Sequence, residues 1–113
     1  MAIVMKQLAG GTITNAAATY YTAAAAVKAR IDAFTVTNYS GSAATITIWL
    51  VPSGGSAADT NIIVKTRSIA AGASGRILEA IGQTLEGGGT LQMQASANSA
   101  STVAVSGVEQ TAL

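Results

Sequence analysis

Residues 44 to 51 alternate Ile46, Ile48 and Leu50 with Thr45, Thr47 and Trp49, the period of two that a pleated strand imposes. The run stops at Pro52-Ser53-Gly54-Gly55, where proline removes a ladder donor and glycine opens the turn dihedrals. From Thr35 onward this text repeats: short β-branched runs, each ended by turn residues. Ile62-Ile63-Val64 lies in a strand over 61–68, and Ala70-Ala71-Gly72 turns the chain into one over 74–80. After Gly87-Gly88-Gly89, Leu91, Met93 and Ala95 alternate with Gln92 and Gln94, and Val103 and Val105 continue the pattern in 102–109. Such spacing predicts an antiparallel sandwich.

Upstream, the segment from Ala29 to Asn38 changes phase. Ala29 and Ile31 are apolar on one parity, Phe34 and Val36 on the other, so a bulge near Asp32 is needed to keep one buried face. A helix over 15–34 competes here. Asn15 could cap it, and Tyr20, Ala24, Val27, Ile31 and Phe34 recur at helical spacing. The strand preference of Thr19-Tyr20-Tyr21-Thr22, and the strand edges left by the later chain, favour the extended reading. Strands near 2–7, 18–23, 29–38, 44–51, 61–68, 74–80, 90–97 and 102–109 make about eight. The expected fold class is all-β: an antiparallel β-sandwich, jelly-roll-like.

At 113 residues the chain supports one core. We divide it into an N-terminal arm, 1–10, ahead of Gly10-Gly11, and a single β-sandwich domain, 11–113. Ile3, Val4, Met5 and Leu8 are too apolar for a free tail and are expected to meet a neighbouring subunit.

The chain carries little chemistry. It has no His and no Cys, and 10% of its residues are charged, against about 25% in an ordinary domain. A nucleophilic triad lacks its base, there is no disulfide framework, and thiolate or imidazole metal sites are excluded. Asp59, Glu79, Glu86 and Glu109 fall near predicted turns or strand ends, where solvated carboxylates are common, so no acidic pair is read as catalytic. A calcium held by Asp59, Asn61 and carbonyls is conceivable, but the expectation is no metal and no cofactor. The glycine runs lack the following Lys-Ser/Thr of a phosphate cradle. Positive and negative side chains interleave to a net charge of +1, which leaves no stripe for nucleic acid or anionic lipid. Neither a basic leader nor a spanning apolar run is read in the sequence, so the expectation is a soluble protein made in the cytoplasm. Asn38-Tyr39-Ser40 fits a glycosylation sequon by coincidence.

Among the aromatics, Tyr20 and Tyr21 must point to opposite sides if their segment is extended. Trp49 lies opposite the aliphatic face of its own strand. Either that strand is buried on both faces or Trp49 marks a subunit contact.

Tyr20-Tyr21-Thr22-Ala23, Ala29-Arg30-Ile31-Asp32, Val36-Thr37-Asn38, Leu50-Val51-Pro52-Ser53-Gly54-Gly55, Ser68-Ile69-Ala70-Ala71-Gly72 and Ser106-Gly107-Val108-Glu109 resemble small β-sandwich virion proteins of tailed bacteriophages. The resemblance covers about Thr19 to Glu109, mainly through turns and strand ends. The alanines at 23–26 depart from it, since a Pro- or Gly-containing turn is expected there. It implies a non-enzymatic virion structural protein, made in the host cytoplasm: a capsid cement or decoration subunit binding the head exterior as a homotrimer. Its partners would be itself and the major capsid protein or another virion protein, with no nucleic acid and no membrane. The alternative is a tail or head-fibre module that recognises host-surface glycans through Trp49 and Tyr39. Ile3, Val4, Met5, Leu8, Trp49 and Tyr39 are the expected interface residues.

Overall fold

Four antiparallel pairings nest inside one another like a long hairpin folded at its midpoint. In a computed structural model that describes residues 2–111, β1 (Ala2–Ile13) pairs with β9 (Ser101–Thr111), and β2 (Ala18–Thr22) pairs with β8 (Thr90–Ala95). Further in, β3 (Val27–Asn38) pairs with β6 (Ser74–Arg76) and with the two-residue β7 (Thr84–Leu85). Innermost, β4 (Ala44–Val51) pairs with β5 (Ile62–Ile69). The hairpin then rolls up. β9 also pairs with β3, and β8 with β4, giving one sheet ordered β1-β9-β3-β6, with β7 beside β3, and a second ordered β2-β8-β4-β5. Two antiparallel sheets in these orders make a jelly roll. The described residues contain no helix, so 15–34 is strand, loop and strand.

The core lies between the sheets. Ile31, Phe34, Val36, Val103 and Val105 face Ile46, Ile48, Leu91 and Met93, and each of these side chains is almost wholly buried. Removing each from water contributes about 1.5–3 kcal/mol. Buried alanines such as Ala29 and Ala95 fill the positions where no larger side chain is used.

The β3 register against β9 shifts between Ile31 and Ala33, so Asp32 is the extra residue and one buried face is kept on both sides of it, as the phase change requires. A second bulge lies on the other side of β9, where the register of β1 shifts between Gln7 and Ala9. It corrects the division at Gly10-Gly11. β1 runs unbroken from Ala2 to Ile13 and pairs along its length, so residues 2–10 form a strand of the first sheet; Met1, Ala112 and Leu113 lie outside the described residues. The poor alternation of this segment comes from the bulge, which puts both Leu8 and Ala9 on the buried side.

The 74–80 region is also shorter in strand than expected. β6 ends at Arg76, Ile77 turns inward to full burial, and a chain of tight turns through Gly82 leads to β7, a ninth strand. The connections gather at two ends. Loops 14–17, 39–43, 70–73 and 96–100 form one, while loops 23–26, 52–61, 77–83 and 86–89 form the other, where Ala2 and Thr111 also lie.

Candidate assembly surface

Four ion pairs among the described residues hold charged side chains two by two. Among the described residues no group of three His, Cys, Asp or Glu side chains comes together. Glu79 takes a bidentate ion pair from Arg67, and Glu86 lies 3.9 Å from Lys28. Arg30 holds its strand neighbour Asp32 at 2.7 Å on the solvent side of the bulge. Asn61 spends its side chain on its own loop, donating to the Ser56 carbonyl and accepting from the Ala58 amide. It therefore closes a turn rather than offering a free oxygen to calcium beside Asp59.

One polar node does sit between the sheets. Tyr21, buried on β2, donates its hydroxyl to the Glu109 carboxylate on β9, and Lys6 Nζ lies 3.4 Å from the same carboxylate. Burial, then the hydrogen bond and charge of Glu109, push the Tyr21 phenol up. The Tyr21 hydrogen bond, and then Lys6, hold the Glu109 carboxyl below its ordinary range. This arrangement fastens strands.

Tyr20 and Tyr21 do not take opposite sides. The register of β2 shifts between Thr19 and Tyr21, and the bulged Tyr20 packs against the core while its hydroxyl accepts from the Thr14 amide. Asn38 is fully buried. Its amide donates to the Ser42 and Ile69 carbonyls and accepts from the Ser40 amide and hydroxyl, so the sequon asparagine is an internal latch for two loops.

The expected interface residues separate into three places. Ile3, Val4 and Met5 are 64%, 49% and 85% exposed, on the end of β1 where the first sheet overruns the second. The register sets Ile3 and Met5 on its outer face beside Gln110 and Val108, and Val4 on the opposite side beside Glu109. Leu8 is a correction: it is buried in the chain's own core, because the bulge turns it inward. Trp49 is half-buried on the outer face of the second sheet, between Gln92 and Ile62 on the flanking strands, as its parity requires. Tyr39 is exposed in the 39–43 loop before β4 begins. Trp49 stands five residues into that strand, roughly 16 Å away along it, so the two do not form one stacking platform. Leu78, 67% exposed in the turns after β6, was hidden by the strand reading of 74–80 and has no periodic signal of its own.

Two shallow grooves of about 500 and 430 Å³ flank the Glu86-Gly87 turn at the same end as the β1 tip. Leu50, Val51, Pro52 and Leu85 line the first; Ala26, Val27 and Lys28 line the second. Neither gathers a titratable constellation.

No protein-family model matches the chain, and no curated protein matches it. Solved structures do. One is a chain from Bacillus endospore appendages, described as a family of disulfide-linked pili. It is 20% identical, with a TM-score of 0.56, over 98% of this chain and 89% of that one. Another is a chain from the structure of infectious bursal disease virus, Gx strain, 15% identical with a TM-score of 0.53. That match covers 96% of this chain, which spans about a third of the length of the viral one (32%). Both are likenesses of fold.

Proposed function

We propose that this chain is a non-enzymatic structural subunit that assembles with copies of itself. The observation that carries the reading is the apolar tip of β1. A soluble monomer has little reason to hold Ile3, Val4 and Met5 in ordered strand and in water. The low charge supports it, as does the likeness in fold to chains from a pilus and from a virus structure. Assembly here would be non-covalent, since the disulfides of the appendage have no counterpart in a chain without cysteine. In its narrower form, carried by the phage-protein resemblance, the subunit is a cement or decoration protein that sits as a homotrimer on a virion head and binds the major capsid protein. Many weak contacts on a symmetric shell then add up to tight attachment.

Native mass spectrometry over a concentration series, with electron microscopy of the purified chain and of the parent particle, tests this. Oligomers that grow with concentration, or density for the chain on a particle, are the expected results. A monomer at every concentration, with no place on a particle, overturns the reading.

A further inference from the structure

We infer that two copies join through their β1 edges, pairing antiparallel about a two-fold axis at Val4. This rests on the assembly reading and specifies its contact. A sheet edge offers unpaired backbone donors and acceptors to any passing strand, and folded proteins blunt such edges with short strands, bulges or charge. Three of the four edges here are blunted. β2 has five residues and a bulge at Tyr20. β5 carries two register shifts together with Lys65 and Arg67. The far edge of the first sheet consists of β6 and β7, three and two residues long.

β1 differs. Its Gly10–Ile13 half lies beyond the Leu8 bulge, but Ala2 to Gln7 keep a regular register against Thr111 to Ser106. This half has one charge, Lys6, which lies against Glu109. It also holds three of the five exposed large apolar side chains found among the described residues.

The same six residues are self-complementary, which is why the occupant is a second copy. Antiparallel pairing about Val4 sets Val4 against its own copy, Ile3 against Met5 twice, and Ala2 against Lys6 twice. Every central pair is apolar. Centring on Lys6 would oppose like charges, and centring on Met5 would set Ile3 against Gln7 and Val4 against Lys6. The chosen register buries Ile3 and Met5 together on the outer face and the two Val4 side chains on the other. The first sheets of the two copies become one, ordered β3-β9-β1-β1-β9-β3. The two-fold contact makes dimers, and where the homotrimer of the narrower reading also forms, it joins trimers in pairs as hexamers.

The absence of native cysteine makes the register directly testable. V4C, incubated with oxidised glutathione, should give a covalent dimer on a non-reducing gel, because directly opposed strand residues place their Cβ atoms within disulfide reach. L78C, at a position more exposed than Val4 but away from the edge, should not. I3K/M5K, which alters only exposed side chains, should keep the β signal in circular dichroism and raise the dimer Kd by about tenfold or more. If wild type and I3K/M5K form the same oligomers and V4C stays uncrosslinked, the edge pairing is overturned and the assembly reading stands. If the wild-type chain is instead monomeric up to about 100 µM, where a weak dimer would be populated, the pairing is overturned, and density on the particle then decides the assembly reading on its own.

Discussion

The Tyr21 hydroxyl donates a hydrogen bond to the Glu109 carboxylate, tying an edge strand of one sheet to an interior strand of the other. The two groups titrate in ways that bound stability from both sides. Glu109 is held below its ordinary pKa of 4.5, so its contribution is complete above that value and is lost as pH falls through the lower folded one. Glu79, lowered by Arg67, adds to the same acid limb. Tyr21 is raised above its ordinary 10.0, so its contribution is complete below that value and is lost as pH climbs beyond it. Thermal melts should therefore be flat between about pH 5 and 9 and fall on either side. Tyr21→Phe should cost about 1 kcal/mol at neutral pH, flatten the alkaline limb and shrink the acid one. An unchanged alkaline limb in that variant would show that another group sets it.

Asn38→Ala should be among the most damaging polar truncations. It leaves the Ile69 carbonyl without its buried donor and removes one partner each from the Ser42 carbonyl and the Ser40 amide at the more open side of the same node. We expect a loss of about 2–4 kcal/mol in urea unfolding. A loss under about 0.5 kcal/mol, the usual range for a surface site, would mean that water replaces the latch.

Gly107→Ala should not fold. A Cβ at 107 would overlap the Arg30 carbonyl oxygen, which is backbone and held by the β3–β9 ladder. The residue faces Lys6 on one side and Ile31 on the other, at the point where both flanking strands are about to bulge. Soluble protein with a wild-type melting curve would show that β9 can shift there.

Ala26→Gly should stabilise. Ala26 has φ 64°, a left-handed conformation that costs a side chain about 1–2 kcal/mol and glycine almost nothing. Glycine gives part of this back in unfolded-state entropy. A net gain of about 0.5–1 kcal/mol should raise Tm by roughly 2–5 °C, read by calorimetry.

The alternation in 44–51 and in the last two strands makes both sheets legible, and the phase change at Asp32 locates a bulge from the sequence alone. The same logic failed at β1. There the bulge at Leu8 scrambles the period, and Gly10-Gly11, read as a break, lies inside a paired strand. Glycine signals permission to turn, not the turn itself. The glycine expected in 23–26 was absent for the converse reason: the chain makes its turn there with Ala26 in a strained conformation. Of the candidate surface, Ile3, Val4 and Met5 could be read from apolarity alone. The inward fate of Leu8 could not, because it depends on a partner strand about a hundred residues away. Tyr21, Glu109 and Lys6 meet for the same reason and leave no local trace.

The nested pairing also sets a timetable for synthesis. Among the described residues β9 leaves the ribosome after the other eight strands, yet it lies between β1 and β3. Until it arrives, β1 lacks the strand it pairs with among the described residues, and its apolar tip waits in the open on a growing polypeptide. On a polysome, neighbouring nascent chains would present the same unpaired segment side by side. Chaperone demand should therefore peak in the interval between the emergence of β1 and that of β9.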